Sequence, residues 1–240
     1  MPIRKTKFLN NHFYHIYNRG VDKREIFLEA SDYFRFLHDL YEFNDKNSTP
    51  LHIGRKFNQE TGRDPSSAKL TTSSRSTDRK RDLLVEIVCF VLIPNHFHFI
   101  LRQLQENGVV LFMRKLGGYS YFFNKKYERS GTLFQGRFKS ILIDSDEYLM
   151  HLSRYIHLNS LEMIEKDWRE KGIEDKEKAQ EFLGNYRWSS YLDYIGKENY
   201  PSLINKQPIL EYFDDFQEYK RFVEEYSFEN LDEIKDFILE

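Results

Sequence analysis

The segment LLVEIVCFVLIPNHFHFILRQ, residues 83–103, constrains the fold more than any other part of the chain. It is almost entirely apolar on both sides of Pro94-Asn95, which is typical of strands that are covered on both faces. Proline presets the φ angle of a turn and asparagine tolerates left-handed backbone, so this dipeptide favours a tight turn. The segment therefore predicts two central, covered β-strands that are joined at Pro94-Asn95.

Two histidines stand one residue apart in the second of these strands. Side chains at positions i and i+2 of a strand project from the same face, so His96 and His98 point the same way and Phe97 points to the other face. Buried imidazoles need hydrogen-bond partners, and neutral imidazoles are also common ligands of divalent metal ions. His-x-His alone is a weak motif, because cupins and many hydrolases carry one. The pair is therefore either a hydrogen-bonded part of the core or part of a metal site.

The remaining apolar patterns predict an α+β fold. They indicate further strands in NNHFYHIYNRG and TLFQGRFKSILID, and helices in EASDYFRFLHDLYEFN, NGVVLFMRKLGGYSYFFNKKYERSG and SDEYLMHLSRYIHLNSLEM. We expect Ser31 or Asp32 to cap the first helix and Ser145 to cap the third. The second helix should be interrupted or weakened at Gly117-Gly118. The order β-α-β-β-α-β-α is that of a ferredoxin-like split βαβ domain with an antiparallel sheet, plus one added helix.

Two segments differ in character from this core. Residues 45–82 are polar and without periodicity, which predicts a flexible insertion. Residues 205–240 contain eleven acidic and four basic side chains and are expected to be helical. We assign residues 1–200 to one domain and residues 201–240 to an acidic helical C-terminal extension. The extension could cover a groove, dock on the core or meet a partner.

The distribution of charge indicates a phosphate-binding surface. The formal net charge is only −2, yet residues 112–140 contain seven Lys or Arg and one acid, Glu128. A basic surface of this kind attracts the backbone of a nucleic acid. The single cysteine, Cys89, permits no disulfide within the chain and is expected to be a small core residue of a protein in the reducing cytoplasm. We expect no signal peptide and no membrane partner, since no apolar run approaches the roughly 20 residues that span a bilayer.

The segment RYIHLN places further polar side chains on the last predicted helix. Tyr155 and Asn159 are four residues apart and therefore lie on one helix face, one turn from each other. His157 points elsewhere, so we expect it to be structural or on the surface. An amide oxygen beside two imidazoles could complete a three-ligand site for a divalent ion, with positions left open for substrate oxygens.

Five blocks of the sequence resemble one family. YHIYNRG, VLIPNHFHFILR, GTLFQGRFKS, YLMHLSRYIHLNS and YRWSSY occur in the order seen in single-tyrosine His-hydrophobic-His (HUH) transposases, and the chain looks most similar to their branch of REP-associated tyrosine transposases. The resemblance spans about residues 10–195 without the insertion. It implies a bacterial, nucleoid-associated enzyme that nicks and rejoins single-stranded or hairpin DNA through a 5′-phosphotyrosine. Related enzymes include monomers and dimers, so a homodimer is one expectation.

The resemblance also implies roles for individual residues. His96, His98 and Asn159 match the metal ligands of the family, with Mg²⁺ or Mn²⁺ as the usual ion, and Tyr155 matches the nucleophile. The family often has proline where this chain has Ser160, and proline would end the helix, so Ser160 is expected to let the helix run longer. Residues 165–182 are longer and more charged than is usual in the family, so substrate contacts there do not carry over.

Several alternatives remain open for the residues around the site. By composition alone, Tyr119 and Tyr121 are rival nucleophiles. The basic side chains that we predict to contact DNA could also be ordinary solvated charges; they are Arg19, Arg114, Lys115, Lys125, Lys126, Arg137 and Lys139.

Three functions are compatible with these patterns. The first is a metal-dependent DNA strand transferase. The second is a non-catalytic module, derived from a transposase, that binds hairpin DNA or RNA; a cleavage assay with a labelled hairpin and manganese separates it from the first. The third is a metal phosphoesterase that uses water, whose turnover would survive the loss of Tyr155.

Overall fold

The computed structural model describes residues 7–47 and 81–225, which form a mixed α/β fold around one four-stranded antiparallel sheet. The strands are β1 (Phe13–Arg19), β2 (Val85–Ile93), β3 (His96–Gln103) and β4 (Lys139–Ile143), and their order in the sheet is β2-β3-β1-β4. Most of the predicted insertion and residues 226–240 of the predicted extension lie outside the described residues.

Helices and strands occur along the chain in the predicted order. The helices are α1 (Ala30–Phe43), α2 (Gly108–Leu116), α3 (Tyr119–Lys126), α4 (Asp146–Leu158), α5 (Trp168–Lys171), α6 (Lys176–Leu183), α7 (Tyr191–Tyr194), α8 (Gln207–Leu210) and α9 (Phe216–Glu224). Short 3-10 helices cover Val21–Lys23 and Asn159–Met163. The predicted interruption at Gly117-Gly118 is confirmed, since it separates α2 from α3. Within the described ranges, none of these helices has the length and apolar character needed to cross a membrane.

The sheet separates two hydrophobic layers. Phe97, Phe99 and their neighbours on one face pack against α1, α2 and α3. Val91 and Ile100 on the opposite face pack against α4, and the C-terminal helices cover α4 in turn. The alternation of side chains along β3 therefore directs its phenylalanines into one layer and its two histidines toward the other.

The two strands predicted on either side of Pro94-Asn95, and the turn between them, are confirmed as β2 and β3. The prediction that both strands are central is wrong for β2. This strand lies at the edge of the sheet. Its outer side is paired instead by an irregular segment: Leu92 N donates to Trp188 O at 2.9 Å, and Ser190 N donates to Phe90 O at 3.0 Å. An edge strand that is covered in this way is buried on both faces and along its rim, which explains why its sequence reads as central.

The fourth strand is shorter than predicted, because only Lys139–Ile143 pair with β1. Gly136 has a φ of 90°, a left-handed conformation that does not continue a strand. The preceding residues cross the end of β1 instead, where Gln135 N donates to Arg19 O at 2.8 Å. This loop therefore borders the end of the sheet at which β3 begins.

The predicted caps have different outcomes. The cap of α4 is confirmed, since Ser145 Oγ accepts a hydrogen bond from Tyr148 N at 3.2 Å. The cap of α1 is not Ser31 or Asp32 but Glu29. Asp32 lies one turn inside the helix, where its carboxylate accepts from Leu28 N at 2.8 Å and from Glu29 N at 3.2 Å. The Asp32 carboxylate thus accepts hydrogen bonds from backbone N–H groups that precede the helix. The helix therefore begins before Asp32, although Asp32 is a residue type that commonly caps helices.

Part of the predicted extension docks on the core. In α9, Tyr219 is buried, and its hydroxyl lies 2.8 Å from His157 Nδ1 and 3.0 Å from Ser153 Oγ of α4. His157 is fully buried and lies 3.3 Å from Cys89 Sγ, which confirms both residues as structural. Burial lowers the pKa of His157 to about 3 and raises the pKa of the Cys89 thiol. The domain boundary at residue 200 stays a prediction.

Candidate active site

One face of the sheet carries a group of polar rings beneath α4. In the pairing of β1 with β3, Tyr17 lies opposite His98 and Arg19 lies opposite His96. Residues directly opposite each other in antiparallel strands share a face, so all four side chains and His15 belong to one surface, which we call the histidine face. It is the face that α4 covers.

His96 and His98, the two histidines of the predicted metal site, lie side by side with ring centroids 5.1 Å apart, and both are buried. His96 Nδ1 lies 2.5 Å from the side-chain oxygen of Asn95, so the Pro94-Asn95 turn also orients the first imidazole. His98 Nδ1 lies 2.9 Å from His15 Nε2. Each Nδ1 thus has a partner in the protein, as buried imidazoles require.

Tyr155, in the last turn of α4, faces this pair. Its ring meets the ring of His98 edge-on, with centroids 6.0 Å apart. On other sides it contacts Trp168, at 6.2 Å between centroids, and Arg169, whose Cζ lies 5.7 Å from the centroid of the tyrosine ring. Only 1% of Tyr155 is exposed. The tyrosine is therefore next to the histidines but covered by α5.

Asn159 lies one turn after Tyr155 and is completely buried. α4 itself ends at Leu158, before Ser160, and the chain continues as a 3-10 helix to Met163. The expected effect of Ser160 on helix length stays a prediction. The side-chain oxygen of Asn159 accepts a short hydrogen bond from Arg169 Nη2. The same guanidinium nitrogen donates to Glu162 at 2.9 Å. Tyr155 and Asn159 therefore share Arg169 as a neighbour.

The donor atoms of the site fit a divalent ion in part. Since Nδ1 of His96 and of His98 faces a protein partner, each ring would bind a metal through Nε2. The amide oxygen suits Mg²⁺ or Mn²⁺, whereas the two imidazole nitrogens suit a borderline ion better. The amide oxygen of Asn159, however, is engaged by Arg169. In the part of the chain that the structure describes, no group of three His, Cys, Asp or Glu side chains could hold a metal ion.

The rival tyrosines lie elsewhere. Tyr119 belongs to the layer on the other face of the sheet, where its hydroxyl donates to Ile26 O at 2.7 Å and burial raises its pKa. Tyr121 is on α3 and is 75% exposed. Neither residue packs against the histidine face, whereas Tyr155 of α4 contacts His98 on it.

Three of the predicted DNA contacts lie at the end of the sheet where His96 stands. Arg19 ends β1 opposite His96. Arg137 is exposed and follows Gly136, whose carbonyl accepts from the Asn18 side chain at 3.3 Å. Lys139 is exposed and pairs with Tyr17, and its Nζ lies 5.6 Å from the centroid of that ring.

The other four predicted contacts lie on α2 and α3, which cover the opposite face. Arg114 and Lys125 are exposed there. Lys115 Nζ donates to Asp45 O at 2.5 Å, and partial burial lowers its pKa. Lys126 forms ion pairs of 2.6 Å with Glu29 and with Asp32. The structure therefore does not bring these four together with the histidine face.

Four residues of the site are absent from the sequence-based prediction. His15 and Tyr17 stand two apart on β1, the same spacing as the predicted histidine pair, so the sequence does contain a signal for them. Their rings stack with centroids 4.8 Å apart, and the ring of Tyr17 also stacks on His98 at 5.5 Å. Trp168 and Arg169 lie in a charged segment without periodicity, and no pattern there indicates that they approach Tyr155.

The chain matches no protein-family model and no curated protein. A solved structure that it resembles is that of a REP-associated tyrosine transposase bound to a REP hairpin. The two chains are 12% identical, the similarity covers 84% of this chain and 89% of that chain, and the TM-score is 0.47. At this level of likeness, a function has to be inferred from the side chains of the site.

Proposed function

We propose that this protein is a metal-dependent DNA strand transferase that nicks and rejoins single-stranded or hairpin DNA through Tyr155. One observation carries the proposal: a tyrosine ring lies edge-on to one of two adjacent histidines, 6.0 Å away, on a single face of the sheet. The five sequence blocks that resemble single-tyrosine HUH transposases support the same function.

The proposed reaction exchanges one phosphodiester for another. Tyr155 Oη attacks a DNA phosphorus and loses its proton to water, the Oη–P bond forms, and the P–O3′ bond breaks. The released 3′ oxygen takes up a proton. The resulting 5′-phosphotyrosine retains a phosphodiester bond, so a second 3′ hydroxyl can attack it and restore the phenol without another energy source.

His96, His98 and Asn159 are the proposed ligands of Mg²⁺ or Mn²⁺. When bound, such an ion supplies charge neutralisation at the phosphate oxygens. Asn95 and His15 would fix the two rings, because a partner on Nδ1 sets which nitrogen faces a metal. For His98 to bind through Nε2 as a neutral ring, its Nδ1–H must donate to His15 Nε2.

The DNA strand is proposed to enter along the end of the sheet that carries Arg19, Arg137 and Lys139. Tyr17 lies beside Lys139 on the histidine face and offers a half-buried ring on which an unpaired base could stack. The strand arrangement is compatible with a ferredoxin-like domain, since β1 and β2 run parallel with β3 between them. We propose that fold class for the domain.

The proposal is tested with Tyr155→Phe and a labelled hairpin in the presence of Mn²⁺. The variant keeps the ring that packs against Trp168 but lacks the attacking oxygen, so we expect no covalent protein–DNA adduct and little change in hairpin affinity. The matched control is Tyr121→Phe, which removes an exposed phenol from the opposite layer and should leave the adduct intact. An adduct that persists in Tyr155→Phe would overturn the role of Tyr155.

A second function, a non-catalytic module that binds hairpin DNA or RNA, is favoured by the closed state of the site. Tyr155 is covered, and the oxygen of Asn159 is bonded to Arg169. A module of this kind would bind the hairpin with unchanged affinity in the presence of a chelator and would never cut it. Cleavage of the hairpin by the wild-type protein with Mn²⁺ separates the two functions.

A further inference from the structure

Arg169 is in direct contact with both Tyr155 and Asn159. Its Nη2 donates to the Asn159 oxygen and, at 2.9 Å, to the Glu162 carboxylate. Its Cζ lies 5.7 Å from the centroid of the Tyr155 ring and 5.4 Å from that of Trp168. A guanidinium therefore lies where the proposed metal site has its oxygen ligand.

The position of this charge has a consequence for metal binding. A carbonyl oxygen has two lone pairs, so geometry alone does not prevent it from accepting a hydrogen bond and binding a cation. Two like charges within a few ångströms nevertheless repel each other, the more strongly where water is excluded. Asn159 is completely buried, so water screens this repulsion little.

We propose that Arg169 is an internal competitor of the divalent ion: it holds the amide oxygen of Asn159 in the metal-free protein and must withdraw before the ion can use that oxygen. The inference rests on the proposed function, because it assigns Asn159 to the metal. It gives a role to a segment, residues 165–175, that the sequence-based prediction left without one.

The guanidinium of Arg169 has an alternative partner and nearby solvent when it leaves Asn159. Glu162 is 28% exposed and remains a partner for the guanidinium when the bond to Asn159 is broken. The side chain of Arg169 itself is 24% exposed, so the guanidinium already borders the solvent into which it would move. The ion pair with Glu162 holds the charge near the site in either state.

The test is a titration of the full-length protein with Mn²⁺ in the absence of DNA, followed by calorimetry and by the electron paramagnetic resonance of free Mn²⁺. Arg169→Met removes the charge and keeps an unbranched apolar chain beside Trp168, and Arg169→Gln keeps a hydrogen-bond donor without the charge. We expect both variants to bind Mn²⁺ at least about tenfold more tightly than the wild-type protein. If one variant fails to fold, the other decides.

Two controls make the outcome specific. Lys171→Met removes one positive charge from the same helix, where it pairs with Asp167 in solvent, and should leave the affinity unchanged. His96→Ala should abolish binding to the site. Equal affinity of wild-type, Arg169→Met and Arg169→Gln proteins, with binding still lost in His96→Ala, would overturn the role of Arg169 and leave the metal site standing. If no protein binds Mn²⁺, the proposed metal site fails and the inference fails with it.

Discussion

Individual side chains on the histidine face differ in what they touch, and these contacts divide their roles. His96 and His98 are oriented through Nδ1 by Asn95 and by His15, while Tyr155 packs edge-on against His98. In the proposed metal site, His15 acts on the ion through its neighbour His98. It is a positioning residue, and its importance can be measured apart from any chemistry on DNA.

We expect His15→Ala to weaken Mn²⁺ binding by about 10–100-fold, because the partner that orients a ligating histidine typically contributes that much to affinity. The measurement is Mn²⁺ titration of the DNA-free protein. The control is His12→Ala, since His12 is exposed and its ring lies 3.0 Å from the Asn10 carbonyl, away from the site. An unchanged Mn²⁺ affinity in His15→Ala would show that His15 does not orient His98 for metal binding.

Local sequence patterns predicted the placement of two residue pairs, while the roles of these residues stay predictions. The two-residue spacing on a strand brings His96 and His98 together, and the four-residue spacing places Tyr155 and Asn159 on one helix face. Arg169 could not be predicted, because its contact with Asn159 depends on how a short helix folds back over α4. A contact between two segments without periodicity cannot be predicted from the sequence of either segment alone.

At the scale of elements, α4 is the part that joins the sheet to the C-terminal helices. One side of it faces the histidines, and the other carries His157, which is buried against Tyr219 of α9 and Ser190 Oγ, at 2.8 Å from each. Because burial lowers the pKa of His157 to about 3, the ring is neutral in the folded protein at any physiological pH.

This burial predicts a pH dependence of stability. The unfolded chain binds a proton at His157 with an ordinary pKa near 6.5, whereas the folded protein does so only near 3. Between these values the unfolded state binds more protons, so the free energy of unfolding should fall as the pH is lowered, by up to about 1.4 kcal/mol per pH unit. Above pH 6.5 this group makes no difference to the slope.

Urea unfolding of wild-type and His157→Gln proteins between pH 7 and pH 4 checks this expectation. The variant should be less stable at pH 7, because it disturbs the contacts with Tyr219 and Ser190, but its stability should depend less on pH. His12→Gln is the control for an exposed histidine and should retain the wild-type slope. Parallel curves for all three proteins would contradict the role of His157.

Elements were predicted better than their arrangement. The strands β2 and β3 and the turn between them follow from apolar runs that flank Pro94-Asn95. The edge position of β2 could not be predicted, because the segment around Trp188 that covers its rim lies about a hundred residues away in the sequence. The early end of β4 depends likewise on the left-handed Gly136 and on the bonds of its loop to β1.

At the scale of the whole molecule, the sheet divides the predicted basic surface in two. Arg19, Arg137 and Lys139 lie at the end of the sheet where His96 stands, whereas Arg114 and Lys125 are exposed on the opposite layer. Under the proposed function, a single strand whose phosphate reaches Tyr155 would follow the first group. The basic window at residues 112–140 is continuous in sequence but not in space.

We therefore expect Lys139→Ala to weaken hairpin binding more than Lys125→Ala does. Loss of one phosphate contact should lower the slope of log affinity against log salt by about 0.7–0.9, as for single strands and duplexes. Binding measured by fluorescence anisotropy at several salt concentrations gives both slopes. A salt slope that is unchanged in Lys139→Ala but reduced in Lys125→Ala would indicate that the DNA binds to the opposite layer.

The most direct test of the central claim is to map the covalent bond. The wild-type protein is incubated with a labelled hairpin and Mn²⁺, digested with a nuclease and with trypsin, and analysed by mass spectrometry. Trypsin cleaves after lysine and arginine, so Tyr155, Tyr17 and Tyr121 fall on different peptides, residues 155–166, 8–19 and 116–125. The proposed function predicts a nucleotide attached to Tyr155 on the first peptide. A nucleotide on either other peptide, or cleavage of the hairpin without any adduct, would contradict it.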